Sequence, residues 1–262
     1  MMNEKLHDPI EGVAPDGTIV TGASEARLSP EFLPILEAVK KRLPPEVSLY
    51  AYGSVANGTA RVGESDVDLV TVGLDSETAK DLGATLSEEF SKLCRGVEIG
   101  PGQRTGYEGS DDESHGNRVF LRHYCVHLAG PDFRDEFPNY PANTDAARGF
   151  NGDIGICADR WKAELEQGGS PALLGRKIAR KTLFAVAGLV SVHDQTWTTD
   201  RIGAAQRWGE VTPSLSEDLD TLVLWGDGQT QNVSEDEVKR MLTDTVTKVV
   251  NDFSDKVGLW NE

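Results

Sequence analysis

The chain has 262 residues, and 43 Asp plus Glu against 26 Lys plus Arg give a formal net charge of −17. That excess repels a phosphate backbone, which argues against general nucleic-acid binding by counter-ion release and favours cationic partners. Three cysteines (Cys94, Cys125, Cys157) in no CxxC pair rule out a disulfide framework and make a structural zinc site an unsuitable reading. The sequence starts without a basic, apolar leader and nowhere reaches about 18 consecutive apolar residues, so a soluble, cytoplasmic protein with no membrane segment is expected.

Residues 1–28 are polar and rich in Gly and Pro, and read as a loosely packed arm. Ser29-Pro30 is a helix start, and Phe32, Leu33, Leu36, Val39 and Leu43 follow at helical spacing until Pro44-Pro45 stops them. Val47 to Tyr52 reads as a strand, Gly53 to Gly63 as a turn and Ser65 to Val72 as a second strand. Leu82, Leu86, Phe90 and Leu93 mark a helix over 79–93, and a short strand follows from Gly96 to Ile99. The polar stretch 100–117 reads as a loop, Arg118 to Leu128 as a longer strand, and the Pro/Gly/Asn-rich 130–149 as a connection. Beyond it the pattern is helical: 151–167, 171–193, 199–209, 214–225 and 233–257, the last opened by a Ser234/Glu237 capping box. The expected fold is α+β: a domain over 1–149 with a mixed sheet and helices, then a helical bundle over 150–262.

The chemistry concentrates in residues 50–73, YAYGSVANGTARVGESDVDLVTVG. Asp66 and Asp68 stand two apart on an expected strand, so both carboxylates point to one face while Val67 and Leu69 point to the other. Like charges so placed repel unless a cation lies between them. Mg²⁺ suits the position, because it takes one or two carboxylates together with substrate phosphate oxygens. Gly53-Ser54 ends the preceding strand; glycine lets a ligand approach the backbone, and the hydroxyl and nearby N–H groups can hold phosphate. A lone Asp-x-Asp in an acidic chain is ordinarily solvated surface. Paired with a Gly-Ser turn at a strand end, it is equipment for phosphoryl or nucleotidyl transfer.

These residues, Gly53-Ser54 followed by Ser65-Asp66-Val67-Asp68-Leu69, resemble the signature of the DNA polymerase β-like nucleotidyltransferase superfamily. The resemblance spans about residues 46–73. It implies that Asp66 and Asp68 bind Mg²⁺ and that Gly53 and Ser54 grip the phosphates of ATP or another nucleoside triphosphate. The family also uses a third carboxylate, as a metal ligand or as the base that deprotonates the attacking hydroxyl. Glu98 in RGVEIG is the candidate, on a strand similar to that of the aminoglycoside adenylyltransferases; His127 and Asp132 are its rivals.

In the helical half, Arg176, Lys177, Arg180 and Lys181 form the densest positive cluster, and no acid occurs from Gly168 through His193. On one helix, 176/180 and 177/181 are like-charge i,i+4 pairs, each costing roughly 0.2–0.5 kcal/mol. An anion should compensate: a triphosphate, or acids elsewhere in the chain. Arg201, behind an expected N-cap at Thr199 or Asp200, could reach a phosphate or a base. The order of these elements is similar to the helical domain of aminoglycoside adenylyltransferases. The resemblance therefore implies transfer of a nucleoside monophosphate, AMP foremost, to a hydroxyl of a small cationic acceptor such as an aminoglycoside, with release of pyrophosphate. A nucleotidyltransferase toxin or regulator acting on tRNA or a protein is the alternative, and it would need a basic acceptor surface. The sequence leaves open the acceptor, the preferred nucleoside and the oligomeric state.

Overall fold

The structure, a computed structural model, describes residues 5–261. The elements in chain order begin with a small hairpin of two-residue strands, β1 (Gly12–Val13) and β2 (Ile19–Val20), then α1 (Leu33–Lys40), β3 (Ser48–Tyr52), α2 (Gly53–Asn57), β4 (Val67–Val72), α3 (Ser76–Glu89), β5 (Val97–Gly102), α4 (Asp112–Tyr124) and β6 (Val126–Ala129). Helices follow: α5 (Thr144–Asn151), α6 (Ile154–Glu166), α7 (Pro171–Asp194), α8 (Arg201–Val211), α9 (Ser216–Gly226), α10 (Glu235–Met241) and α11 (Thr247–Lys256). The fold is α+β, a mixed sheet with helices followed by a helical C-terminal half.

The four-stranded sheet has the order β5-β4-β3-β6. β3 is antiparallel to both β4 and β6, while β4 and β5 run parallel and are joined by α3 as the crossover. Alternation fixes the two faces. Leu49, Ala51, Val67, Leu69 and Val97 point into a core shared with Phe32, Ile35, Leu36, Val39 and Leu86 of the helices. Tyr50 and Val72 point to the other face, where Tyr107, Leu121 and Cys125 cover them. Local signals set the helix starts: Asp75 accepts from Thr78 N at 2.8 Å at the head of α3, and the Ser234/Glu237 capping box opens α10 as expected.

Residues 118–128 depart from the expected strand. Most of them belong to α4, and only Val126–Ala129 is extended. The Asp111 carboxylate accepts from Ser114 N (2.8 Å) and Ser114 Oγ (2.9 Å), which caps the helix inside what reads as a polar loop. Leu121 and Cys125, four apart, then meet the sheet on one side of the turn. The β-branched and aromatic content of 119–124 suggested a strand, but the cap and this packing override it.

Contacts divide the chain into two units. One comprises Val20–Ser110 and Asn117–Tyr140; the other comprises described residues 5–19, Asp111–Gly116 and 141–261. Residues 6–11 of the expected loose arm are instead hydrogen-bonded within the second unit. Leu6 N donates to Asp194 Oδ2 (2.8 Å), Thr198 Oγ1 to Asp8 Oδ2 (2.6 Å) and Thr199 Oγ1 to Glu11 Oε1 (2.8 Å). Within this second unit α7 is the central helix, in contact with α5, α6, α8, α9 and α11. The expected helix over 233–257 runs as α10, a π-helical turn at Leu242–Val246 and α11.

Candidate active site

In the sheet-bearing unit, β3 ends at Tyr52, which lies in register with Asp68 of β4, and Asp68 lies in register with Glu98 of β5. Register partners share a face, so Tyr52, Asp68 and Glu98 form one row on the side away from Ala51 and Leu69. After Tyr52 the backbone turns at Gly53 with φ +67°. A Cβ at Gly53 would stand 2.5 Å from Asp68 Oδ2 and 3.3 Å from its Cγ. Glycine is needed here both for the left-handed backbone and for room beside the carboxylate. Ser54 follows in the first turn of α2, and its hydroxyl takes no hydrogen-bond partner among the described residues.

Asp66 sits immediately before β4. Val67 N donates to Gly96 O (2.9 Å) and Arg95 N to Ser65 O (3.0 Å), tying the entries of β4 and β5 together. This brings Arg95 onto Asp66: its Nε donates to Oδ1 at 3.0 Å and its Nη2 donates to Oδ2. Asp66 is largely covered, with a side-chain exposure of 18% against 58% for Arg95. The hydrogen bond to Asp66 holds the Arg95 guanidinium above its ordinary pKa, and the charges of Glu98 and Asp68 add to it. Burial pushes the Tyr52 phenol up, with further increments from Asp68 and Glu98. Glu98 itself is exposed and makes no hydrogen bond or ion pair among the described residues.

The rivals of Glu98 lie elsewhere. His127 on β6 is in register with Tyr50, one row away and at the opposite edge of the sheet. Its Nε2 donates to Gly130 O at 2.9 Å. Asp132 is engaged by Arg134, whose Nη2 is 2.7 Å from Oδ2. Burial raises the Asp132 carboxyl, but those hydrogen bonds outweigh it and hold the group below the usual range.

Among the described residues, no three His, Cys, Asp or Glu side chains converge as a ready-made metal cluster. The set Asp66, Asp68 and Glu98 is brought to neighbouring positions, yet both oxygens of Asp66 are turned to Arg95. The donor chemistry nonetheless fits a hard divalent ion: carboxylate oxygens of Asp68 on β4, Glu98 on β5 and Asp66 at the entry of β4, beside the Gly53-Ser54 turn. Mg²⁺ needs only one or two carboxylates when phosphates complete its shell.

The cations expected on α7 lie in the helical unit. Lys177 pairs with Glu164 (2.8 Å) and Lys181 with Asp153 (2.6 Å), so acids within the unit compensate both lysines. Arg180 Nε is 3.5 Å from Gly226 O, and Arg176 Nε is buried without a hydrogen-bond partner among the described residues. A groove of about 630 Å³ is lined by Arg160, Trp161, Lys177, Arg180, Lys181 and Phe184, among others. Arg201 opens α8 behind the Asp200 N-cap, with its guanidinium 5.3 Å from the centre of the Phe184 ring. Sequence reasoning missed Arg95 and Tyr52. Arg95 is adjacent to the quoted strand, but only the pairing of β4 with β5 shows that it meets Asp66.

Residues 34–100 match the nucleotidyltransferase domain family. No curated protein matches the chain in sequence. In structure the chain is similar to spectinomycin adenyltransferase AAD(9) from Enterococcus faecialis, solved with ATP and spectinomycin, at a TM-score of 0.54 and 12% identity over 86% of this chain and 99% of that one. At that identity the likeness is one of fold. The matched segment contains the Gly53-Ser54 turn together with Asp66, Asp68 and Glu98, so the chain carries a nucleotidyltransferase domain over residues 34–100.

Proposed function

We propose that the enzyme transfers a nucleoside monophosphate, AMP foremost, from a nucleoside triphosphate to a hydroxyl of a small cationic acceptor of the aminoglycoside type, releasing pyrophosphate. The observation that carries this reading is the contact between Gly53 and Asp68, with Glu98 in the same row. It sets the Asp68 carboxylate beside the turn that we propose holds phosphate. A net charge of −17 supports a cationic acceptor and disfavours tRNA. AAD(9), with its ATP and spectinomycin, supports the same substrate classes by fold likeness. Use of a nucleoside triphosphate suits a cytoplasmic setting, and a resistance role would follow from an antibiotic acceptor.

In this mechanism the backbone at Gly53 and the Ser54 hydroxyl hold phosphate oxygens. Within the helical unit, Arg176, Lys177, Arg180, Lys181 and Arg201 are the cations we propose as anion contacts. Asp66 and Asp68 would hold Mg²⁺, whose chemistry there is to neutralise phosphate charge. Glu98 accepts the proton of the acceptor hydroxyl as that oxygen bonds to the α-phosphorus, and the bond from the α-phosphorus to pyrophosphate breaks. Glu98 is free to do this because no protein group competes for its oxygens among the described residues.

The test is incubation with labelled ATP, Mg²⁺ and a panel of aminoglycosides and aminocyclitols, comparing wild type with Asp68→Asn. The expected result is label on an acceptor and stoichiometric pyrophosphate from wild type, and a loss of at least about 10²-fold in the variant. Label on tRNA or protein would redirect the acceptor assignment. Wild-type rates in Asp68→Asn would refute the carboxylate assignment.

A further inference from the structure

Arg95 meets Asp66 in a bidentate, charge-assisted pair that uses both carboxylate oxygens. The pair is built from the backbone upward. Arg95 N donates to Ser65 O, Val67 N donates to Gly96 O, and a Cβ at Gly96 would come within 3.4 Å of Asp66 Oδ1. The guanidinium is therefore delivered to one side of Asp66 by the β4–β5 pairing rather than by a chance surface encounter. Most of the Arg95 side chain remains exposed, so it can leave without unpacking the core. Asp66, Asp68 and Glu98 bring three negative charges to this corner, and Arg95 is the cation bonded to Asp66.

A divalent ion ligated by Asp66 uses an oxygen to which Arg95 already donates, so the two cations compete for the same carboxylate charge. We propose that Arg95 is a positioning residue that acts through Asp66: it keeps the carboxylate oriented and neutralised without metal, and a divalent ion displaces it on binding. Metal binding and release of Arg95 are then one coupled event. This inference rests on the reading of Asp66 and Asp68 as metal ligands.

The experiment uses the full chain and two readouts that need no turnover. Mn²⁺ binding is followed by electron paramagnetic resonance for wild type, Arg95→Gln, Arg61→Gln and Asp68→Asn. Arg61 is paired with Glu64 and removes the same charge without touching Asp66. Displacement predicts Mn²⁺ affinity in Arg95→Gln raised by about fivefold or more, the lower end of ordinary coupling between sites, with Arg61→Gln close to wild type. In parallel, the Nε–H resonance of Arg95, assigned by its absence in Arg95→Lys, should be protected from solvent exchange without metal and lose that protection on Mg²⁺ titration. Equal gains in both Gln variants, or an Nε–H that stays protected at saturating Mg²⁺, would overturn the proposal. Failure of wild type to bind Mn²⁺, or binding unchanged in Asp68→Asn, would instead strike the underlying metal reading.

Discussion

Gly53→Ala tests the geometry of the site most directly. The backbone at this position has φ +67°, where an L side chain costs about 1–2 kcal/mol. The new methyl would also stand 2.5 Å from Asp68 Oδ2, so the carboxylate must retreat by about 0.5 Å merely to reach 3.0 Å. The two effects separate experimentally. The backbone cost should lower the melting temperature by about 2–8 °C for a chain of this size. Displacement of a group at the reacting centre by up to ~1 Å should lower kcat/KM by about 10²-fold. Circular dichroism and thermal melts report the first, and release of pyrophosphate from ATP in the presence of acceptor reports the second. The variant should remain folded and lose activity out of proportion to its stability. Activity within about threefold of wild type would mean that the Gly53–Asp68 contact does not position the reacting groups, and the reasoning from that contact would fall.

Further outcomes follow from Glu98 and from the buried Asp194. Glu98→Gln should lower kcat by about 10²-fold or more while leaving nucleotide affinity within about threefold, because the change removes a proton acceptor and keeps the shape; unchanged turnover would return the role to another group. Asp194 is buried and paired with Arg207 at 2.9 Å, so Asp194→Asn should destabilise the protein by about 3–5 kcal/mol in urea melts, leaving a charged guanidinium without its partner. Burial pushes the Asp194 carboxyl up, but hydrogen bonds from Arg207, Leu6 N and His193 outweigh it and bring it down to about 2. A carboxyl so depressed stabilises the fold fully above its unfolded value near 3.8 and loses that contribution as pH falls toward 2. Stability should therefore drop across that window in wild type, and this part of the drop should be missing in Asp194→Asn.

The sequence by itself determined the features carried by short-range rules. Alternation placed Val67 and Leu69 in the core and aimed Asp68 away from it. Helical spacing marked 171–193, which folds as α7, and Ser234 with Glu237 marked the start of α10. The Gly-Ser turn with Asp-x-Asp identified the chemistry because both halves lie within one hairpin-like stretch. Three matters were decided only by tertiary structure. Whether residues 118–124 coil or extend depended on Asp111 as a cap and on which surface Leu121 meets, and their composition alone favours the wrong state. Residues 5–11 gain order from Asp194, Thr198 and Thr199, nearly the whole chain away, which no local pattern encodes. Arg95 reaches Asp66 only through the register of two parallel strands separated by a helix. Periodicity fixes the direction of a side chain relative to its own element, while the identity of its partner depends on how elements pair, and that is a property of the folded chain.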